Sequence, residues 1–196
     1  MNFDNIHLFE LINAGAQPAW TTLALAHVVA QWLVLVVPVA WLVLWVRGGR
    51  AVRQDLVHVA VAAALALGIA QLVGLALPTP RPFALHLGHQ YLAHADDPGL
   101  PSDHVTLLWS LAFAALGTAR GSWLVFPLLG AGLLTGWARV YLGVHFPLDV
   151  VGALPVAAAG AGLALVLRPA LEAWSKPLWA RYDACERAAL RLLHLD

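Results

Sequence analysis

LVHVAVAAALALGIAQLVGLAL, residues 56–77, runs for twenty-two positions without a charged side chain. At about 1.5 Å per residue such a helix reaches roughly 33 Å, enough to cross a hydrocarbon layer of ~30 Å. Its outer face is therefore read as facing lipid. Working outward, comparable apolar stretches lie at residues 20–46, 105–119, 123–141 and 148–167, the third near the lower length limit. With 61% hydrophobic and 11% charged residues in 196 positions, the chain has no room for a separate soluble domain. The expectation is an all-α, polytopic membrane helix bundle of about five transmembrane helices, forming one membrane-embedded domain over residues 1–196.

The flanks refine this picture. Residues 5–14 are too short and too polar to span and predict a helix at the membrane interface or dipping partly into it. The N-terminal stretch has Asp4 and Glu10 but no Lys or Arg before Gln17, unlike a removable signal peptide. Residues 168–196 alternate apolar and basic positions and predict an amphipathic tail helix on the cytoplasmic surface. Arg47, Arg50, Arg53, Arg120, Arg168, Lys176, Arg181, Arg187 and Arg191 then fall on one side of an alternating topology. Because cytoplasmic loops collect positive charge, that side is the inside, with the N-terminus outside. The lone Cys185 excludes a disulfide framework, and no basic stripe suggests nucleic acid. The sequence names no protein partner; its surroundings are the lipid bilayer.

Only Arg81 and Arg139 fall on the outer side, and both sit among the chain's concentrated polar chemistry. PTPRPF carries Arg81, PSDH carries Ser102 and His104, and ARVYLGVHFPLD carries Arg139, His145 and Asp149. Singly, each has an ordinary explanation: a snorkelling arginine, or a histidine in a first helical turn. Together they make a site. Ser102 precedes an apolar run and predicts an N-cap, so the first-turn N–H groups form an anion site with His104 beside them. His145 and Asp149 are four apart, which brings imidazole and carboxylate together and fixes the tautomer. Two guanidiniums, a helix N-terminus, a hydroxyl and two imidazoles suit phosphoryl transfer without a metal or other cofactor.

The order and spacing resemble the three motifs of the type-2 phosphatidic acid phosphatase superfamily, K-x6-R-P, P-S-x-H and S-R-x5-H-x3-D. Arg81-Pro82, Pro101-Ser102-Asp103-His104, and Arg139, His145 and Asp149 match, all within residues 74–149. Gly74 and Ala138 stand where the motifs have lysine and serine. Within the superfamily, RPFALHLGHQYLAHADDPGLPSDHVT and ARVYLGVHFPLDVVG are similar to undecaprenyl-diphosphate phosphatases of the bacitracin-resistance type. The resemblance implies a bacterial inner-membrane enzyme whose lipid substrate is a polyprenyl diphosphate. It also implies His145 as nucleophile, Asp149 as its stabiliser, His104 as acid and base, and Arg81, Arg139 and Ser102 as phosphate-binding groups.

Pro82, Asp103, His94 and Asp97 are candidate rim or substrate contacts. A metal site from His86, His89, His94, Asp96 and Asp97 is the lesser reading, set against a polar loop that closes with the turn DDPG. Two other functions compete: action on another lipid phosphate (lipid A, phosphatidylglycerophosphate or phosphatidate), and a catalytically silent transporter or scaffold.

Overall fold

The computed structural model describes residues 3–118 and 121–192, the last five of them in backbone only. It is all-helical among those residues. The elements are α1 (Phe3–Ile12), α2 (Trp20–Trp32), α3 (Val36–Arg47), α4 (Arg50–Ala76), α5 (Asp103–Leu116), α6 (Val125–Tyr141) and α7 (Pro147–Leu192), with one-turn 3-10 segments at Leu33–Leu35, Phe83–Leu85 and Ser122–Leu124. Four segments are long and apolar enough to cross a membrane: Trp20–Arg47, Arg50–Ala76, Ser122–Tyr141 and Pro147–Arg187. α5 is the expected third span and has 14 residues, about 21 Å of helix. Trp20 and Trp32 are 78% and 62% exposed and Val46 is 67% exposed, as suits side chains whose solvent is lipid.

Residues up to Leu165 form one compact unit and those from Val166 a second. In the first, α5 is the central element, and small residues set the distance between helices. Ala62, Ala114, Ala161 and Ala164 pack as one cluster. A β-carbon on Gly160 would lie 2.5 Å from backbone atoms of Ala66, so only glycine permits this approach of α7 to α4. Val105, Trp109, Val140, Phe146, Val150 and Ala153 form a second cluster under the polar end of the bundle.

α1 is not merely interfacial. Phe9 is fully buried in that second cluster, edge-on to Phe146 with ring centroids 5.3 Å apart. Asn5 accepts a hydrogen bond from the Leu148 N–H at 3.0 Å, which satisfies a backbone donor at the start of α7. Asn13 donates to the carbonyls of His89 and Tyr141 and accepts from the His89 N–H, clamping the long loop to the end of α6.

The tail also departs from expectation. α7 continues through Pro169 and Pro177 to Leu192, so residues 168–192 extend one helix and do not form a separate one. Each proline forfeits one backbone hydrogen bond without ending the helix. The second unit carries an Arg168–Glu172 ion pair at 2.8 Å, one turn apart. Arg53, expected as a loop charge, is buried and donates to the Trp45 carbonyl, which ties the α3–α4 turn. Arg120 and the side chain of Arg191 lie outside the described residues.

Gly160→Leu should lower the thermal midpoint in detergent, since overpacking of this kind costs about 1–3 kcal/mol. Gly162→Leu, on the same helix with open space around it, should leave the midpoint unchanged. Comparative melting of the two variants checks the α4–α7 contact.

Candidate active site

α7 begins at Pro147, a residue that suits the first helical position because it has no N–H to satisfy. His145 therefore precedes the helix, and the four-residue spacing brings imidazole and carboxylate together around the helix start and not along one helical face. Asp149, three residues past Phe146, turns back toward the helix start. Its Oδ2 accepts from the Phe146 N–H at 2.8 Å and from His145 Nδ1 at 3.2 Å. The first contact is half of a capping box; the second fixes the imidazole. A carboxylate oxygen accepts only, so Nδ1 carries the proton and Nε2 keeps its lone pair.

His145 is 1% exposed. Burial first, and then the positive charges of Arg139 and Arg81, push its pKa well below the usual 6.5, so the ring is neutral. Arg81 NH1 lies 3.1 Å from its Nε2.

Arg81 is buried yet held on every edge. Nε donates to the carbonyl and Oδ1 of Asp97 at 3.0 and 2.9 Å, NH1 to the Val144 carbonyl at 2.8 Å, and NH2 to the Pro98 carbonyl at 3.3 Å. Among the described residues Arg139, 2% exposed, has one long contact, NH1 to the Ala30 carbonyl at 3.4 Å, and its Nε has no hydrogen-bond partner. Ser102 stands at the N-cap of α5 with no exposed surface, and its hydroxyl caps nothing. Its N–H donates to the Asp149 carbonyl at 3.0 Å, which joins the starts of α5 and α7. His104 is half-buried in the first turn of α5. Buried donors without acceptors, grouped at a positive helix end, make a place for an anion.

The other candidates divide. Asp97 is half-exposed and pairs with Arg81, so its carboxylate supports the guanidinium and does not stand alone at a rim. His94 comes into the site, its ring centroid 6.2 Å from that of His145. Asp103 turns to α4, where it accepts from Gln71 Nε2 at 3.1 Å. Pro82 is fully buried, and its carbonyl closes the turn by accepting from Leu85 and Leu87, so it is scaffold and not rim. Among the described residues no three His, Cys, Asp or Glu side chains group to hold a metal.

Sequence reading missed Gly99. A β-carbon there would sit 3.0 Å from Asp149 Oδ2 and 3.5 Å from Arg81 Cγ, so any side chain at this point of the loop would press on the Asp149 carboxylate. Thr79 holds that passage by accepting from the N–H groups of Gly99 and Leu100. The DDPG turn signalled a turn but not what it would touch.

The profile of the PAP2 superfamily, a family of phosphatases, matches residues 55–172. An Escherichia coli (strain K12) protein, YbjG, whose name marks it as a candidate undecaprenyl-diphosphatase, is 40% identical over 150 residues, covering 76% of this chain and 75% of its own. The undecaprenyl-diphosphatase BcrC of Bacillus subtilis (strain 168) is 29% identical over 153 residues, covering 78% of each. The crystal structure of Aquifex aeolicus LpxE shares the fold, with a TM-score of 0.68 at 22% identity over 84% of this chain and 96% of that one. Motif geometry, matched profile and relatives agree: this chain belongs to the PAP2 superfamily and has the fold of a multi-pass membrane lipid phosphatase.

Proposed function

We propose that this protein hydrolyses undecaprenyl diphosphate to the monophosphate and phosphate through a phosphohistidine on His145, recycling the carrier lipid for cell-wall synthesis. The observation that carries the chemistry is the buried neutral imidazole, oriented by Asp149 beside Arg81, at the helix end where Ser102 Oγ and Arg139 Nε lack acceptors. The names of the relatives supply the lipid.

In this reading, Arg81, Arg139, Ser102 and the first-turn N–H groups of α5 take the oxygens of the terminal phosphate. Arg81 NH1 shifts its hydrogen bond from Nε2 to an incoming oxygen. Burial first, and then Arg139, hold the pKa of His104 down to about 4, and the incoming phosphate anion offsets those charges, so the ring takes up a proton from the headgroup or water on binding. His145 Nε2 then attacks phosphorus, the bond to the bridging oxygen breaks, and undecaprenyl monophosphate leaves with that proton from His104. Asp149 stabilises the positive charge that develops on the imidazole. Water next attacks the phosphohistidine, His104 takes its proton, phosphate departs, and the lone pair of Nε2 returns. The cations needed to neutralise the phosphate are side chains, so no metal is required.

The chain is read as one domain in a bacterial cytoplasmic membrane, with the site facing the periplasm or exterior and residues 168–196 on the cytoplasmic side.

Phosphate release from undecaprenyl diphosphate in detergent with EDTA tests the activity, against shorter prenyl diphosphates and glycerolipid phosphates. Turnover should persist in chelator; loss that magnesium or zinc restores would reinstate a metal. His145→Ala should abolish it, and Asp149→Asn should reduce it by up to ~10⁴-fold, as the equivalent change does in a serine-protease triad. In His104→Ala a phosphohistidine should accumulate, visible by mass spectrometry after an alkaline quench. Near-normal turnover of His145→Ala would end the covalent mechanism.

A second measurement concerns the resting ring. Imidazole ¹⁵N NMR should show His145 neutral with its proton on Nδ1 at pH 6.5, protonating only as pH falls through its depressed pKa. Half-protonation at 6.5 would contradict the buried geometry.

For topology, a C-terminal reporter should be active in the cytoplasm. Activity confined to the periplasm would invert the bundle and the site with it.

A further inference from the structure

We propose that His94 is a phosphate-binding residue of this site, engaging the headgroup through Nε2 in the role that Gly74 leaves open. The proposal takes the identity of the headgroup from the lipid-diphosphatase reading, but the anion site itself stands on geometry.

Gly74 lies two residues before the end of α4, where the motif resemblance has a lysine. Space that a side chain would enter is bordered by the loop: a β-carbon on Gly74 would lie 3.5 Å from Pro98 Cβ and 3.6 Å from the Leu100 carbonyl oxygen. The loop segment over Gly74 is the one that brings Asp97 to Arg81. His94 comes with it. Its Nδ1 is 3.5 Å from Asp97 Oδ1, its side chain is 20% exposed, and its ring meets that of His145 edge to face. A basic group missing from α4 is thus matched by one arriving from the loop, with its ring centroid 6.2 Å from that of His145.

Its hydrogen bonding decides which nitrogen is available. Nδ1 faces the Ala95 carbonyl at 3.1 Å and the Asp97 carboxylate, both acceptors, so Nδ1 carries the proton and Nε2 is left for a ligand. The charged and titratable groups around the ring are Arg81, Arg139, Asp97, His104 and His145. Burial lowers its pKa; the Ala95 hydrogen bond and Asp97 oppose that, while both arginines add to it, and the ring is neutral at rest. A phosphate anion among these groups reverses the local field and favours a proton on Nε2. That proton comes from a singly protonated phosphate oxygen or from water, and either source leaves an Nε2–H···O hydrogen bond.

The test uses the full chain in detergent with EDTA, as wild type, His94→Gln, Gly74→Lys and the double variant. Inorganic diphosphate is the calorimetric probe, and farnesyl diphosphate the substrate for KM and kcat. His94→Gln should weaken diphosphate binding by about tenfold or more, the weight of one charge-assisted hydrogen bond, and raise KM in step with little change in kcat. Adding Gly74→Lys should restore both, because the lysine Cβ meets Pro98 only at ordinary contact distance. Unchanged diphosphate binding in His94→Gln overturns the proposal. So does weakened binding that Gly74→Lys fails to restore, since that marks His94 as support for the loop alone. If the wild type binds diphosphate in this His94-dependent, lysine-rescued way yet releases phosphate from no prenyl diphosphate, the functional reading fails and His94 stands.

Discussion

A single carboxylate oxygen organises the polar end of this bundle. Asp149 Oδ2 receives the Phe146 N–H and His145 Nδ1, while the backbone carbonyl of the same residue receives the Ser102 N–H. The first contact sets where α7 begins, the second aims the imidazole, and the third fixes where α5 begins. A helix end in an apolar medium cannot leave its donors to water, so the start of α7 needs side-chain acceptors, and Asp149 is one of them with Asn5. The functional orientation of His145 is built onto that structural requirement. It follows that the Asp149 side chain cannot be altered for chemistry alone without also disturbing the start of α7.

Around that junction the charges are arranged unequally. Arg81 is held by a carboxylate and three carbonyls, whereas Arg139, equally deep, meets one carbonyl at long range among the described residues. A buried guanidinium with so few acceptors is costly in isolation. The cost falls when an anion enters, and so the same group that lowers the stability of the empty site favours its occupied form. Arg81 supplies position and Arg139 supplies unmet demand.

Much of this was legible in the sequence because it rests on local signals. Uninterrupted apolar runs mark spans, PSDH before an apolar run marks a helix start, and four-residue spacing brings His145 to Asp149. What was not legible depends on the path of the long loop. Nothing local to Asp97 says that its carboxylate meets Arg81, or that Gly99 passes between Arg81 and Asp149. The burial of Asn5 and Phe9 was hidden for a similar reason, since a short helix with Phe3, Leu8 and Leu11 exposed reads as interfacial until its opposite face finds a partner.

The unequal lengths of neighbouring helices explain why the site needs that loop at all. α4 has 27 residues and α5 only 14, and Gln71, five residues before the end of α4, hydrogen-bonds Asp103 at the first turn of α5. At about 1.5 Å per residue, α5 therefore begins roughly 8 Å below the end of α4. The chain must descend along α4 to reach that level, and Gly74 is the residue it passes. That descent carries Asp97 to Arg81 and sets His94 beside His145, while Ser102 at the start of α5 stays fully buried. On the proposed function, the burial of these groups strengthens their charge interactions with a phosphate.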